Sequence, residues 1–195
     1  MKRKADRRVQ RTRQLLEQAL LALIKEKAFE SISVQEIIDR ANVGRATFYE
    51  HYDNKEDLLQ SGFNGLEARL KERQREALAR GSDLDERLFA FSHELLAHAH
   101  EHRDAFPAMV GKRGGAVIQH VLRKLLVGLV REDVKSTVPK EGTGAVPPEA
   151  IVQFLANGLF GLLVWWLNGR MRLSVEEVNG IFRQLAVPAL KAAFR

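Results

Sequence analysis

The sequence predicts an all-α fold, for two reasons, and has enough apolar residues to form its core. Apolar residues recur at helical spacing over several stretches, while the strict alternation typical of half-buried strands is almost lacking. Two long helical stretches are poor in proline, of which the 195 residues contain only five. An apolar content of 45% is enough for one large or two small hydrophobic cores.

Residues 33–59 predict a helix-turn-helix followed by the start of a third helix. Ser33 and Glu36 have the S-x-x-E spacing with which a hydroxyl and a carboxylate satisfy backbone amides at a helix start. The buried side of this first helix is expected to consist of Val34, Ile37, Ile38 and Ala41. Asn42 and Gly44 then frame a tight turn, because both residue types tolerate left-handed backbone.

The second helix of the motif, residues 45–52, is expected to bury Phe48 and Tyr52 and to present a polar outer face. That face consists of Arg45, Ala46, Thr47, Tyr49, Glu50 and His51. An ordinary helical hairpin on a protein surface is the alternative interpretation. Two short helices joined by a three-residue turn, with the second polar on its outside, fit a reader of the DNA major groove better.

A longer stretch, from about residue 11 to residue 66, resembles the DNA-binding domain of the tetracycline-repressor (TetR/AcrR) family of bacterial regulators. The matching segments are TRQLLEQALLALI, SVQEIIDRANV, ATFYEHY and NKEDLL, in one register without a gap. Ala28 departs from the family pattern, which usually has a glycine where the first helix ends, and Asn42 and Gly44 replace a commoner Gly and Ser. None of these departures removes a group that the resemblance assigns to DNA contact.

The resemblance implies a set of DNA-contacting residues. Arg45 and Ala46 should face base edges, where arginine suits guanine, and Gly44 should allow close approach. Phosphate contacts are implied for Thr47, Tyr49, His51 and Lys55, and for Ser33 or Gln35 at the start of the preceding helix.

The net charge of +6 is concentrated at the N-terminus. Residues 1–13 carry seven Lys/Arg and one Asp, whereas the other 182 residues balance 24 basic against 24 acidic side chains. A basic segment beside a recognition motif is typical of phosphate binding, and such arms can enter the minor groove. A solvated disordered tail and an expression artefact are the other interpretations.

Three regions are expected: a basic arm at residues 1–10, a helix-turn-helix domain at 11–56, and a C-terminal helical regulatory and dimerisation domain at 57–195. The helix after the motif should open at Asn54 and end at Gly81. The next helix should begin within the four residues that follow and carry an apolar stripe of Leu84, Leu88, Phe91 and Leu95.

Further along, a helix is expected over residues 117–134, followed by a loop at 136–148 that is rich in Pro, Gly and Thr and is the best candidate for disorder. The last two helices should run from about 149 to 170 and from 174 to 193, the second one kinked before Pro188.

Catalytic motifs are lacking from the sequence: there is no Gly-rich phosphate loop, no G-x-S-x-G elbow and no H-E-x-x-H. A histidine cluster comprises His93, His98, His100 and His102. On a helix His98 and His102 share a face, with Glu94 one turn before, so these three could ligate zinc. A solvated or partly buried polar stripe explains the pattern better, and we predict no enzyme activity, no metal site and no cofactor.

The apolar helix at 151–167 indicates a homodimer, because it is apolar around more of its circumference than the core of one chain can cover. Helix-turn-helix proteins of the family bind palindromes as dimers. The last two helices of each subunit should form a four-helix interface through Phe154, Gly158, Gly161, Leu162, Trp166, Val178, Phe182 and Leu185. Burial inside one chain is the competing interpretation.

In the family that the chain resembles, a small molecule binds inside the C-terminal domain and moves the recognition helices through the fourth helix. Here His98 and His102 continue the apolar stripe, where a ligand cavity or hydrogen bonds to the chain or to water would satisfy them. The expected pocket is mostly apolar and favours a hydrophobic ligand; its residues are Phe91, Leu95, His98, His102, Phe106, Met109, Val121, Leu125, Phe154 and Trp165.

These expectations combine into a ligand-responsive transcriptional regulator, a repressor by analogy with the family, that binds a palindromic double-stranded DNA operator as a homodimer and is released by a small-molecule inducer. A constitutive DNA-binding protein without an inducer is the alternative. The chain has no cysteines and a charged N-terminus, and its longest apolar run, 159–167, is shorter than the ~20 residues that span a bilayer. We therefore expect a cytoplasmic protein without membrane contact.

Overall fold

The computed structural model describes residues 2–80, 84–104, 106–110, 115–137 and 146–193. Within these residues the secondary structure is helical and no β-strand occurs, so the predicted all-α class is confirmed. In chain order the helices are α1 (Lys2–Glu26), a 3-10 helix (Phe29–Ser31), α2 (Val34–Ala41), α3 (Arg45–Tyr49), α4 (Lys55–Ala79), α5 (Leu84–Arg87), α6 (Ala90–Glu101), α7 (Phe106–Val110), α8 (Gly115–Thr137), α9 (Pro148–Asn168) and α10 (Val175–Ala193).

Two compact units make up the chain. The first comprises Met1–Gly65 and Asp104–Gln119, and the second comprises Leu66–Arg103 and His120–Arg195. Consequently α4 and α8 each contribute their first residues to the first unit and the remainder to the second.

The first unit is held together by α1, which packs against α2 and α7, while α2 packs against α3. As the helical spacing predicts, Ile37, Ile38 and Ala41 of α2 are buried, and Val34 is half-buried. Side chains that are fully buried in this core are Leu16, Ile24, Phe29, Ile37, Phe48 and Leu58. The apolar side of each short helix therefore faces one common core, which is what fixes the helix-turn-helix in place.

The second unit is built around α10, which packs against α6 and α9. An aromatic cluster lies in the core of this unit. The ring centroid of Phe89 is 5.3 Å from that of Phe182 and 6.5 Å from that of Phe91, and both pairs have edge-to-face geometry. Other buried core residues here are Leu88, Leu95, Leu126, Leu159, Trp166 and Val178.

The helix expected to start within residues 82–85 is interrupted in the structure. Its first turn is α5, and α6 begins only after Phe89, whose φ of +57° lies in the left-handed region. The Phe89 N–H donates to the carboxylate of Asp133 at 2.9 Å, and the Phe89 carbonyl accepts from Ser92 Oγ at 2.7 Å. The contact with Asp133 comes from α8, 44 residues away in the chain, and outweighs the local backbone preference, which is why periodicity along the segment did not reveal the break.

The start of α4 and the end of α10 agree closely with expectation. Asn54 caps α4, its Oδ1 accepting from Asp57 N–H at 2.8 Å, and α10 continues through Pro188 to Ala193. Residues 138–145 of the loop expected at 136–148 lie outside the described residues, and the two residues before them end α8.

The length and mean hydropathy of α9 would suit a membrane span, the one such case among the described helices. Half of its most apolar window is nevertheless buried inside the protein itself. Those buried positions include Leu159, Leu163 and Trp166, so one side of α9 belongs to the core of the second unit.

Candidate functional site

The start of α2 is fixed by the capping box that its sequence predicts. Ser33 Oγ accepts from the Glu36 N–H at 3.3 Å, and Glu36 Oε2 accepts from the Ser33 N–H at 2.9 Å. Lys27 Nζ donates to Glu36 Oε1 at 2.5 Å. The hydrogen bond from Lys27, followed by those from Ser33, lowers the pKa of Glu36 to about 2, so the cap stays ionised at neutral pH.

In the turn between α2 and α3, Asn42 adopts the left-handed backbone that was expected of both Asn42 and Gly44, whereas Gly44 does not. Asn42 ends α2 with φ 51° and ψ 48°, in the left-handed region, and the Val43 N–H reaches back to the Ile38 carbonyl at 3.0 Å. Gly44 precedes α3 with φ −69°, a backbone that any residue adopts. A Cβ at Gly44 would meet only Thr47 Oγ1, at 3.9 Å, so what this glycine supplies is open space in front of α3.

The inner side of α3 anchors it as predicted. Phe48 is fully buried and Tyr52 is 4% exposed, with their ring centroids 5.9 Å apart. The Tyr52 hydroxyl lies 3.2 Å from Ser61 Oγ on α4. The helix is shorter than the expected 45–52, ending at Tyr49, and a turn follows in which the Tyr52 N–H still donates to the Phe48 carbonyl at 2.9 Å.

The outer side of α3 is open to solvent. Arg45 and Ala46 are exposed, and Tyr49 is 48% exposed. The Arg45 guanidinium lies 5.8 Å from the centre of the Tyr49 ring and 3.5 Å from Gln35 Oε1, so the beginnings of α2 and α3 lie side by side. Of the residues assigned to DNA, the exposed ones are Ser33, Gln35, Gly44, Arg45, Ala46 and Tyr49, and the half-buried ones are Thr47, His51 and Lys55.

Lys55 has contacts that the sequence did not suggest. Its Nζ donates to the carbonyls of Phe29, Glu30 and Ile32 at 2.9, 3.0 and 2.8 Å, and it lies 4.7 Å from the centre of the Phe29 ring. An ammonium group has three N–H donors, so all are used within the chain. The start of α4 is thereby tied to the 3-10 helix.

Ala28, where the family pattern usually has glycine, adopts φ −61° and ψ 140°. This extended backbone is open to any residue, so the departure from the family pattern carries no strain. The adjoining N-terminal residues 2–10, expected as a basic arm, are helical and continuous with α1, and Arg7 and Arg8 are exposed.

The expected interface residues on α9 and α10 fall into two groups. Phe154 and Leu185 are 66% and 69% exposed, Gly158 and Gly161 are also exposed, and Leu162 is half-buried. Three others are buried inside the chain and unavailable to a partner, which corrects their assignment: Trp166, Val178 and Phe182. Their positions on the helices turn them inward, against the core of the second unit. The exposed apolar residue that the assignment omitted is Trp165, at 55%.

The expected ligand-pocket residues are also divided. In the second unit Phe91, Leu95 and Leu125 are buried, His98 and Val121 are half-buried, and His102 is exposed; in the first unit Phe106 and Met109 are buried. Phe154 and Trp165 are largely exposed, so neither forms the wall of an enclosed cavity within its own chain, which corrects their assignment.

An open groove of about 650 Å³ lies where α9 ends and the chain turns toward α10. It is lined by Trp165, Trp166, Asn168, Gly169, Arg170, Arg172 and Leu173. Of these residues only Trp165 and Trp166 were predicted from the sequence to be functional, the first in the ligand pocket and the second in the dimer interface. The sequence feature that could have indicated this groove is the pair Arg170 and Arg172 beside Gly169.

Two family models match this chain. Residues 16–61 match the model described as bacterial regulatory proteins, tetR family, and residues 86–187 match the model described as transcriptional regulator C-terminal region. A curated relative, the uncharacterized HTH-type transcriptional regulator YxbF of Bacillus subtilis (strain 168), is 49% identical over 57 residues, which are 29% of this chain and 15% of the relative. The match thus spans a small part of that relative's length.

Solved structures resemble the chain over nearly its full length. The TetR transcriptional regulator from Streptococcus agalactiae 2603V has 26% identity and a TM-score of 0.69, covering 95% of this chain and 99% of its own. FadR of Thermus thermophilus, a TetR-family transcriptional repressor in complex with lauroyl-CoA, has 22% identity and a TM-score of 0.63, covering 90% and 93%. At 22% identity, the likeness to FadR shows a shared fold.

Proposed function

Because the chain belongs to the tetR family of bacterial regulatory proteins, a family of DNA-binding transcriptional regulators, we propose that it is a ligand-responsive repressor that binds a palindromic operator as a homodimer. One observation supports the DNA-binding part of this proposal. The helix α3 is anchored by a fully buried Phe48, while Arg45, Ala46 and Tyr49 are exposed on its outer face. A short helix whose inner side is anchored in the core and whose outer side carries hydrogen-bonding side chains suits insertion into the major groove.

Dimerisation is proposed for the open side of α9 and α10. Phe154, Trp165 and Leu185 are each more than half exposed, more than any other large apolar side chain among the described residues. A Cβ added at Gly158 or Gly161 would meet nothing within 4 Å, so a partner helix has room to approach there. Two copies related by a two-fold axis would cover these residues and place two recognition helices on one operator.

Ligand response is proposed for the second unit, whose core is apolar and aromatic. The structural relative that holds lauroyl-CoA supports a hydrophobic effector. The effector must bind the DNA-incompetent state more tightly, since equal affinity for both states would shift nothing. We also propose that the protein has no enzyme activity and acts in the cytoplasm, where its DNA is.

The test begins with selection of genomic DNA fragments by the full-length purified protein. A palindromic consensus with half-sites about 10 base pairs apart, or a multiple of that spacing, is the expected result. Hydrophobic compounds, including lauroyl-CoA, are then titrated into the protein–operator complex. Release by one of them supports the repressor, whereas operator binding that no compound changes favours the constitutive DNA-binding protein.

A further inference from the structure

A cluster of nitrogen and oxygen donors lies at the C-terminal end of α6. His98, Glu101 and His102 each offer one donor atom, and these atoms all lie within 4.8 Å of one another. The two imidazole ring centroids are 4.4 Å apart, at an interplanar angle of 67°. Spacings of three and four residues bring the three side chains to one side of the helix end. The carboxylate in the cluster is Glu101, not the Glu94 that helical spacing had suggested.

One member of this cluster, His98, already contacts a positively charged side chain. Arg69 on α4 lies with Nη2 2.8 Å from Nδ1 of His98, within the same unit. A guanidinium has donors only, so Nδ1 must accept and the proton of the neutral imidazole is on Nε2. Because Nδ1 accepts from Arg69, the ring is in the neutral form that metals bind.

We propose that His98, Glu101 and His102 form a binding site for a divalent transition-metal ion such as Zn²⁺, for which Arg69 competes. Two imidazoles and a carboxylate are a ligand set that zinc accepts, with water completing the coordination. Imidazole also favours Zn²⁺, Co²⁺ and Ni²⁺ over Mg²⁺ and Ca²⁺, which prefer oxygen. Glu101 and His102 are exposed, so their side chains can rotate to bring the donors closer together. This proposal differs from the solvated or partly buried polar stripe that the sequence favoured.

Competition with Arg69 follows from the two tautomers of His98. If the metal binds Nδ1, it takes the lone pair that Arg69 now uses. If the metal binds Nε2, the ring proton must move to Nδ1, which can then no longer accept from Arg69. Either route requires the guanidinium to leave, so metal binding breaks this contact between α4 and α6.

The experiment titrates Zn²⁺ alone into tag-free full-length protein by calorimetry, and Co²⁺ alone with its visible absorption as the readout. Wild type should bind one ion per chain. His102→Gln and Glu101→Gln should each weaken binding by about tenfold or more, since even outer-shell changes around metals cost about that much. His100→Gln, an exposed histidine on the same helix that lies outside the cluster, is the matched control and should leave affinity unchanged.

Arg69→Met is the decisive variant, because it removes the competing cation while keeping the apolar stem. It should tighten Zn²⁺ binding by about fivefold or more, the effect of one nearby like charge in a watery environment. Circular dichroism shows whether each variant is folded as the wild type is. The proposal is overturned by the absence of saturable binding at one equivalent, by equal losses in His100→Gln and His102→Gln, or by an affinity that Arg69→Met leaves unchanged or lowers.

Discussion

At the residue scale, Lys55 combines a role implied by resemblance with one that only the structure reveals. The family pattern assigns it to a phosphate, yet in the free chain its ammonium group caps three carbonyls around the 3-10 helix. Charge-assisted hydrogen bonds of this kind contribute more to stability than neutral ones. A phosphate contact would have to share or replace them.

We expect Lys55→Ala to lower the free energy of unfolding by about 1–3 kcal/mol, because it leaves the carbonyls of Phe29 and Ile32 without their charged donor. Urea denaturation measures this. Lys135→Ala, which removes only an exposed ion pair with Glu132, is the control and should change stability by less than about 1 kcal/mol. Equal stability of both variants would contradict the capping role. A DNA-binding salt slope reduced by about 1 in Lys55→Ala would show a phosphate contact as well.

Arg45 is the exposed guanidinium at the start of α3, beside Gln35 and the Tyr49 ring. Arg45→Ala should weaken operator binding by about 1–3 kcal/mol and relax preference at one base position, as expected for loss of a bidentate base contact. Binding to a panel of single-base operator variants measures both effects. Arg75→Ala, an exposed arginine on α4 paired with Glu72, is the control. Unchanged base preference in Arg45→Ala would show that Arg45 does not read a base.

At the element scale, what could be predicted is what local sequence determines. The capping box at Ser33, the turn at Asn42 and the inward side of α2 depend on residues within a few positions of one another. The break at Phe89 depends on Asp133, which is 44 residues away in the chain. The helical spacing of apolar residues reflects only residues that are close together in the sequence, so α5 and α6 were expected to form one helix. The same limit hid the carbonyl contacts of Lys55.

Asp133 gives the elements that meet around it a pH dependence. It is 1% exposed, and its carboxylate accepts from Gln74 Nε2 at 2.6 Å and from Phe89 N–H at 2.9 Å. Burial raises its pKa from 3.8 to about 6, although these hydrogen bonds and the charge of Arg183 act in the opposite direction. Between pH 3.8 and 6 the unfolded chain therefore releases this proton before the folded chain does. This group makes folding less favourable as pH rises through that window.

Asp133→Asn should remove this contribution. We expect the stability of wild type relative to the variant to fall by about 2–3 kcal/mol between pH 4 and pH 7, with most of the change complete near pH 6. Urea denaturation of both proteins across this range gives the difference, in which groups common to both cancel. Parallel stability curves would show that Asp133 ionises alike in the folded and unfolded chain.

At the scale of the whole molecule, the family and fold class were predictable, but the exact partner-facing residues were not. A helix that is apolar nearly all round does not reveal which side its own core takes. In the structure the core takes Trp166, Val178 and Phe182, leaving Phe154 and Leu185 outside.

The proposed dimer therefore depends on the exposed set. Phe154→Glu and Leu185→Glu should each place a charge in the interface and shift the protein toward monomer in sedimentation at micromolar concentration. Operator affinity should fall with it, because two linked half-site contacts become independent. Leu15→Glu, a similar change at a residue of α1 that is 38% exposed, is the control. A wild type that sediments as a monomer would refute the dimer.

The two tryptophans of the chain, adjacent in α9, give it an optical reporter of its own. Trp165 is 55% exposed, whereas Trp166 is 2% exposed, with its indole N–H bonded to the Leu173 carbonyl at 2.9 Å. Covering the outer face of α9 would remove water from Trp165 alone and move part of the intrinsic fluorescence to shorter wavelength. Unfolding would expose both indoles and move the whole emission to longer wavelength. The sign of the spectral shift thus separates association from unfolding without any added dye.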